Sequence, residues 1–365
     1  MISQKGKTAY VYWCLIVMSV MYYANSYSQN VNTLVDAHDT QIQYEGRTGF
    51  NNPGIAELYW PGSSIRVRFK GTGISAILRD QRGDNYYNVI IDDDSIHVLK
   101  PGTAQKTYML ADQLPGGEHT VELFRRSGLN GVTWFYGFQL PEGTKIIAPP
   151  RPGKRMIEFY GNSITVGSGI NEEGDRNGSE NNYLGYAAIT ARHFGARYSC
   201  IARSGIGLMV SWFSMIMPEL YSRLNPYDSN SVWDFSKAMP GIVVINLFQN
   251  DYSIVNMPDR PEFKRRFGRI PPTEEFIVGS YRKFVQRIRS HYPAAHIICV
   301  LGNMDAGIPG SPWPGYIEKA VESLGDKNVY THFFPYKNTP DHPNVAEQRQ
   351  MAESLIRFIE EHIKW

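Results

Sequence analysis

The spacing of apolar residues changes once along this chain, and that change constrains its fold more than any other feature. From about residue 40 to 140 they recur at every second position. Ile65, Val67 and Phe69 alternate with polar neighbours, as do Ile74, Ala76 and Leu78. Val132, Trp134, Tyr136, Phe138 and Leu140 form the longest such set. Gly71-Thr72-Gly73, Arg82-Gly83-Asp84 and Pro115-Gly116-Gly117 interrupt the runs at hairpin-like intervals. A period of two with close turns and no helical stretch predicts an antiparallel β-sandwich or jelly roll, each strand wet on one face.

Prolines 141, 149, 150 and 152 then cluster with Gly143, Gly153 and Lys154, and the pattern beyond them is different. Proline fixes φ and removes a donor, so this stretch reads as a linker between two units. Gly241-Ile242-Val243-Val244-Ile245-Asn246-Leu247 and His296 to Leu301 are continuous apolar runs, as expected of strands covered on both faces. Helical spacing runs from about Thr273 to His291. It returns at the end, where Val345, Ala352, Leu355, Ile356, Ile359 and Ile363 make one stripe. Strands alternating with helices predict a three-layer α/β unit around a parallel sheet. The expected division is a leader at 1–28, a β-sandwich at 29–145 and an α/β unit at 146–365.

The leader follows from Lys5 and Lys7, an apolar stretch from Tyr10 to Tyr23, and the small and polar run Ala24 to Ser28. That order is a secretory signal peptide, too short for a stable membrane span, and it implies export. Cys14 lies inside the apolar stretch, which argues against lipid modification. Cys200 and Cys299 sit in strand-like runs and are expected to be buried free thiols. There is no CxxC or HExxH, so neither a metal nor another cofactor is expected. A formal charge of +2 gives no broad basic field, and nucleic acid is not an expected partner.

In open parallel sheets the reactive groups gather at the carboxyl ends of strands. Loops after Tyr160, Ile201, Leu247 and Leu301 fall there, and the loop carrying His342 is a fifth. The first holds Gly161-Asn162-Ser163-Ile164-Thr165. Its serine is either a nucleophile or a plain helix cap. It is not the GxSxG elbow, and Gly167-Ser168-Gly169 lacks the GK[ST] ending of a nucleotide loop. Ser204-Gly205-Ile206-Gly207 allows a backbone N–H to approach a ligand, and Asn250 can donate its amide hydrogens. His342, between Asp341 and Pro343, is a candidate base. Each segment alone reads equally well as a turn.

Together they resemble the ordered blocks of the SGNH (GDSL-like) hydrolases, with Gly-Asn-Ser-Ile-Thr in place of the usual Gly-Asp-Ser-Ile-Thr. The chain is closer still to carbohydrate esterase family two, in which a jelly roll precedes an SGNH domain. Segments Glu45 to Thr48, Trp60 to Ser63, Phe69 to Thr72 and Ile157 to Gly161 are similar to that family's sequences. The resemblance implies removal of acetyl groups from acetylated poly- or oligosaccharides, such as xylan or glucomannan, without a cofactor. By position, Ser163 would be the nucleophile and His342 the base. The oxyanion would rest on the Ser163 and Gly205 N–H groups and the Asn250 side chain. Trp212, Tyr252 and Trp313 are candidates for stacking on sugar, or for simple packing.

Three positions depart from the family. Asn162 replaces Asp, and Phe248 stands where Gly is usual. Thr339 occupies the place of the triad acid, three residues before the histidine. The expectation is a Ser–His dyad whose ring is held by a backbone carbonyl, with Asp341 or Asp305 as rival orienters. Two other readings stay open: an esterase for other acyl groups, and a carbohydrate-binding protein with an inactive hydrolase unit.

Overall fold

The computed structural model describes residues 32–150, 153–170 and 178–365. The expected leader lies outside the described residues. Two antiparallel sheets face each other in the first unit. One has the strand order Thr48–Gly49, Ala56–Leu58, Thr133–Leu140, Ile74–Asp80 and Lys106–Ala111, with Thr33–Asp36 also on Thr133–Leu140. The other runs Lys145–Ile147, Ser64–Gly71, Gly117–Arg125, Tyr87–Ile91 and Ser95–Leu99, with Gln43–Glu45 on Ser64–Gly71. Ile65, Val67, Phe69, Ile74, Ala76, Leu78, Val121 and Leu123 fill the space between them. The alternation therefore predicted these faces correctly. The boundary expected at 145/146 falls inside a strand, since Lys145–Ile147 still pairs with Ser64–Gly71.

The longest alternating set is only half right. In Thr133–Leu140 the core residues are Phe135, Phe138 and Leu140, while Trp134 and Tyr136 lie on the outer, half-exposed face. A β-bulge between Phe135 and Gly137 shifts the register against Ile74–Asp80 and reverses the inward phase. Gly137 makes it possible: its φ is +127°, and a Cβ there would lie 2.1 Å from the Val35 carbonyl oxygen. Trp134 is instead covered by the Arg79 guanidinium, 4.8 Å from its ring.

The second unit is built on a five-stranded parallel sheet. Its order is Arg197–Ala202, Met156–Gly161, Ile242–Asn246, His296–Leu301 and Val329–Phe333. Helices Tyr186–His193 and Val345–His362 pack on one face, and Glu274–His291 and Trp313–Glu322 cover the other. The first strand in sequence is second in space, so the direction of winding reverses between it and Ile242–Asn246. Ligand crevices in such sheets form beyond the carboxyl ends at that reversal. Cys200 and Cys299 are buried free thiols, as expected. Among the described residues no helix is long and apolar enough to cross a membrane.

A buried cation joins the two units. Arg47 of the sandwich is fully buried, 3.5 Å from the carboxylate of Glu158 on the central strand Met156–Gly161. It also donates to the carbonyls of Tyr221 (2.6 Å) and Arg223 (3.0 Å) and to the Tyr160 hydroxyl (3.2 Å). The guanidinium lies 5.2 Å from the Trp233 ring and 5.3 Å from that of Phe235. Glu158 in turn accepts from Tyr160, Tyr292 (2.8 Å) and Ser199 (2.8 Å). Removing one partner of such a pair strands the other charge in the core. Arg47→Met is expected to destabilise the protein by about 3–5 kcal/mol in urea unfolding, and Arg47→Lys to recover little of it, because an ammonium lacks the planar fork. A loss under about 1 kcal/mol in Arg47→Met would contradict this account.

Candidate active site

Strand Met156–Gly161 is buried along its whole length and runs straight into the turn that carries Ser163. Asn162, not the serine, caps the short helix Ser163–Val166, its Oδ1 accepting from the Ile164 N–H at 3.0 Å. The cap reading of Ser163 is thereby removed, and its hydroxyl is free to meet another partner. That partner is His342, whose Nε2 lies 2.8 Å from Ser163 Oγ.

His342 sits on the loop between Val329–Phe333 and the last helix. Asn344 caps that helix reciprocally with Glu347, giving bonds of 3.0 and 2.9 Å. On the other side Gly169, at φ +77°, packs directly on the imidazole-bearing carbon. A Cβ on residue 169 would lie 2.8 Å from that of His342. A side chain there would push the ring away from the serine. Burial holds the His342 pKa below its ordinary value; the charges of Asp341 and Glu180 oppose this, while Lys337 reinforces it. The ring is therefore neutral at neutral pH and can accept a proton at Nε2.

Among the described residues neither a carboxylate nor the expected backbone carbonyl hydrogen-bonds that ring, whose partner is the Ser163 hydroxyl. Thr339, in the place of the family's acid, donates to Glu347 instead, and the buried Lys337 ammonium clamps the Thr339 hydroxyl (2.6 Å) and the Thr339 and Pro340 carbonyls (both 2.8 Å). Asp341 is exposed in a left-handed conformation, φ +61°, and reaches the imidazole only through its field. Asp305 is exposed in a separate turn, Asp305–Gly307.

The remaining candidates arrive by sheet register. Gly161 is aligned with Ala202 on one neighbouring strand and with Asn246 on the other. The loops that leave these three residues therefore start side by side. Gly205 follows Ala202 with φ +83°, and among the described residues nothing accepts from the Ser163 or Gly205 N–H. Asn250 donates Nδ2–H to the Ile206 carbonyl at 2.7 Å and accepts from the Trp212 indole at 3.0 Å. An indole N–H can only donate, so it fixes which end of the amide is oxygen and leaves one Nδ2 hydrogen for a ligand. Asp251, fully buried, pins the same loop by accepting from the N–H groups of Leu208 (2.8 Å), Met209 (2.6 Å) and Val210 (3.0 Å). Burial pushes its carboxyl up to about 6 against those three bonds.

Phe248 adopts the conformation its usual glycine would favour, φ +81°, and its ring is buried against Tyr281 (4.8 Å) and Trp313 (5.0 Å). Trp313 is accordingly a core residue, 4% exposed, and presents no face to a sugar. Tyr252 is half-buried, edge-on to Trp313 at 6.0 Å. Trp212 is different: 37% exposed beside Asn250, with the Arg260 guanidinium 5.7 Å from its ring.

Sequence reasoning missed Glu180, which stands in a polar stretch with no motif. Its Oε1 accepts from Ser204 Oγ at 2.9 Å and Ser168 Oγ at 3.2 Å, and its Oε2 from the Gly128 N–H of the sandwich at 2.7 Å. Lys337 and Glu347 were missed as well. Among the described residues no cluster of His, Cys, Asp and Glu could hold a metal ion.

Residues 44–150 match the family model for the carbohydrate esterase 2 N-terminal domain. The chain is 33% identical over 347 residues to cellulase/esterase CelE of Acetivibrio thermocellus, covering 90% of this chain but only 40% of that protein. It is 24% identical to an acetylxylan esterase / glucomannan deacetylase of Cellvibrio japonicus, covering 91% of each. A solved family two carbohydrate esterase from Clostridium thermocellum, in complex with cellohexaose, superposes with a TM-score of 0.77 at 32% identity, over 88% of this chain and 98% of that one. With that identity across nearly the whole of a solved member, beneath the same sandwich and parallel sheet, the chain belongs to carbohydrate esterase family two.

Proposed function

We propose that this protein is an exported serine esterase that removes O-acetyl groups from carbohydrates, acting through a Ser163–His342 dyad. The observation that carries the reading is the 2.8 Å contact between Ser163 Oγ and a neutral, partly buried imidazole at the carboxyl end of the central strand. Relatives named acetylxylan esterase and glucomannan deacetylase support the choice of acyl group and leaving group. Export rests on the leader-like run at residues 1–28.

In this mechanism His342 takes the Ser163 proton as Oγ attacks the acetyl carbonyl carbon. Negative charge moves to the carbonyl oxygen, where the N–H groups of Ser163 and Gly205 and the free Nδ2–H of Asn250 receive it. His342 then protonates the departing sugar oxygen, leaving an acetyl ester on Ser163. Water repeats the cycle with the same base and releases acetate. The polysaccharide backbone would lie along the rim formed by Trp212.

Among the described residues no carboxylate is hydrogen-bonded to the imidazole that becomes charged in each half-reaction. Asp341 and Glu180 contribute only through the field, and burial works against the charge. The oxyanion donors therefore carry more of the transition-state stabilisation than in a triad enzyme.

Three variants test this. Ser163→Ala should lower acetate release from acetylated xylan and glucomannan by about 10⁴-fold or more. Unchanged glycan binding with no wild-type activity would favour a binding protein instead, and faster cleavage of octanoyl than acetyl nitrophenyl esters would favour another acyl group. Asn250→Ala should reduce kcat by about 10²–10³-fold with KM little altered. Asp341→Asn should cost less than about tenfold in kcat, where loss of a true triad acid costs about 10⁴. The same variant removes an anion that raises the His342 pKa. The acid limb of its kcat/KM profile should therefore move to lower pH, the ring staying neutral further into acid. A limb that moves upward would exclude His342 as the titrating base.

A further inference from the structure

We propose that Glu180 is a positioning residue through which the β-sandwich holds the oxyanion loop in place. This rests on the reading just given, in which the Gly205 N–H receives developing charge. Glu180 lies where three separate stretches of chain meet. Its own segment pairs with the turn that follows the nucleophile: Gly169 N–H donates to the Ser179 carbonyl at 2.7 Å, and Asn181 N–H to that of Gly167 at 2.9 Å. Its carboxylate then leaves this pairing to contact the other two stretches.

One oxygen faces Ser168 and Ser204, whose hydroxyls are themselves 2.8 Å apart. Each hydroxyl can donate to this oxygen, so the carboxylate ties the two serines together as their shared acceptor. Each serine immediately precedes a glycine of the site. Ser204 leads into Gly205, whose N–H is free for the oxyanion, and Ser168 into Gly169, which packs on His342. Fixing the Ser204 side chain fixes the peptide plane that aims the Gly205 N–H.

The second oxygen accepts from Gly128, and that loop is itself held rigidly. Arg125, fully buried, donates from Nη2 to the carbonyls of Gly128 (2.9 Å) and Gly131 (3.0 Å) and to Asn85 Oδ1 (2.7 Å), and from Nη1 to the Leu58 carbonyl (2.8 Å). The fit is close: a Cβ on residue 128 would come within 2.7 Å of Glu180 Oε2. A rigid sandwich loop thus orients a carboxylate, and the carboxylate orients the loop that holds the oxyanion donor. Bonds to an ionised acceptor are short and roughly twice as strong as neutral ones, so they suit this role. A donor displaced by about 1 Å costs on the order of 10²-fold in rate.

The test uses the full chain with nitrophenyl acetate. Glu180→Ala, Ser204→Ala, the double variant and Ser204→Thr are measured for kcat and KM, and the fraction of reactive Ser163 is counted by end-point labelling with a fluorophosphonate. Glu180→Ala and Ser204→Ala should each lose about 10- to 100-fold in kcat per labelled site, with KM changed less than about threefold. The double variant should lose no more than the worse single, because both act through one chain of contacts. Ser204→Thr, which keeps the hydroxyl, should recover most of the rate. A kcat loss that only tracks the loss of labelled sites would overturn the proposal, as would losses that multiply in the double variant or a change below about threefold. If Glu180→Ala does not fold, Ser204→Ala and Ser204→Thr decide it alone. Absence of labelling or activity in the wild type would instead mean that the Ser163 reading had failed.

Discussion

A guanidinium sealed between the two units, against a carboxylate on the central strand, is the contact on which the site's geometry depends. Taking both charges out of water costs several kcal/mol per ion before their attraction is counted. Arg47 and Glu158 offset that cost because their remaining hydrogen-bonding directions are largely used. Tyr221 and Arg223 carbonyls receive one end of Arg47, and Tyr160, Tyr292 and Ser199 hydroxyls serve Glu158. Rings of Trp233 and Phe235 line the guanidinium without competing for its N–H groups. Such an arrangement tolerates few displaced geometries, so the sandwich and the strand that leads to Ser163 are held in one relation.

How the imidazole is held follows a different logic. A triad acid would sit at Thr339, but that side chain is committed to Glu347, which also caps the last helix through Asn344. Lys337, buried beside them, binds the same loop by its carbonyls. The loop is thus held without a carboxylate of the described residues on the ring. On the proposed mechanism the imidazolium forgoes stabilisation by such a partner, while Nε2 stays placed on the serine. Burial lowers the basicity of His342 and so favours the neutral form that can accept the proton.

The sequence was informative where a residue's job leaves a periodic or compositional trace. Alternating apolar residues marked the sandwich faces, continuous ones the parallel strands, and a glycine–asparagine–serine turn after such a strand marked Ser163. The Gly137 bulge was invisible because one extra residue reverses the inward phase without changing composition, which is why Trp134 and Tyr136 turned out to lie on the outer face. Trp313 was left between two readings because an aromatic ring reads alike in a core and on a sugar platform; only its packing on Phe248 decides. Phe248 shows a further limit. A bulky residue at φ +81° stores about 1–2 kcal/mol of backbone strain, and burial of its ring more than offsets this. Neither half of that balance can be read from a one-letter code. Glu180 left no trace, since its three donors come from residues far apart in the chain.

These contacts also explain why a sandwich belongs beside this sheet. Arg47 fixes the strand leading to Ser163 well before its carboxyl end, through a charge deep in the core. Gly128 reaches the loops beyond that end, through a carboxylate near the surface. A strand held at its base alone would leave its loops free to tilt, and loops held alone would drift with the strand. Contacts at both levels tie the Ser163 turn and the Ser204–Gly205 peptide to the same sandwich. In the proposed mechanism a base with no carboxylate bonded to it among the described residues depends on the aim of the oxyanion donors, and contacts from a second unit are a physical means of keeping that aim.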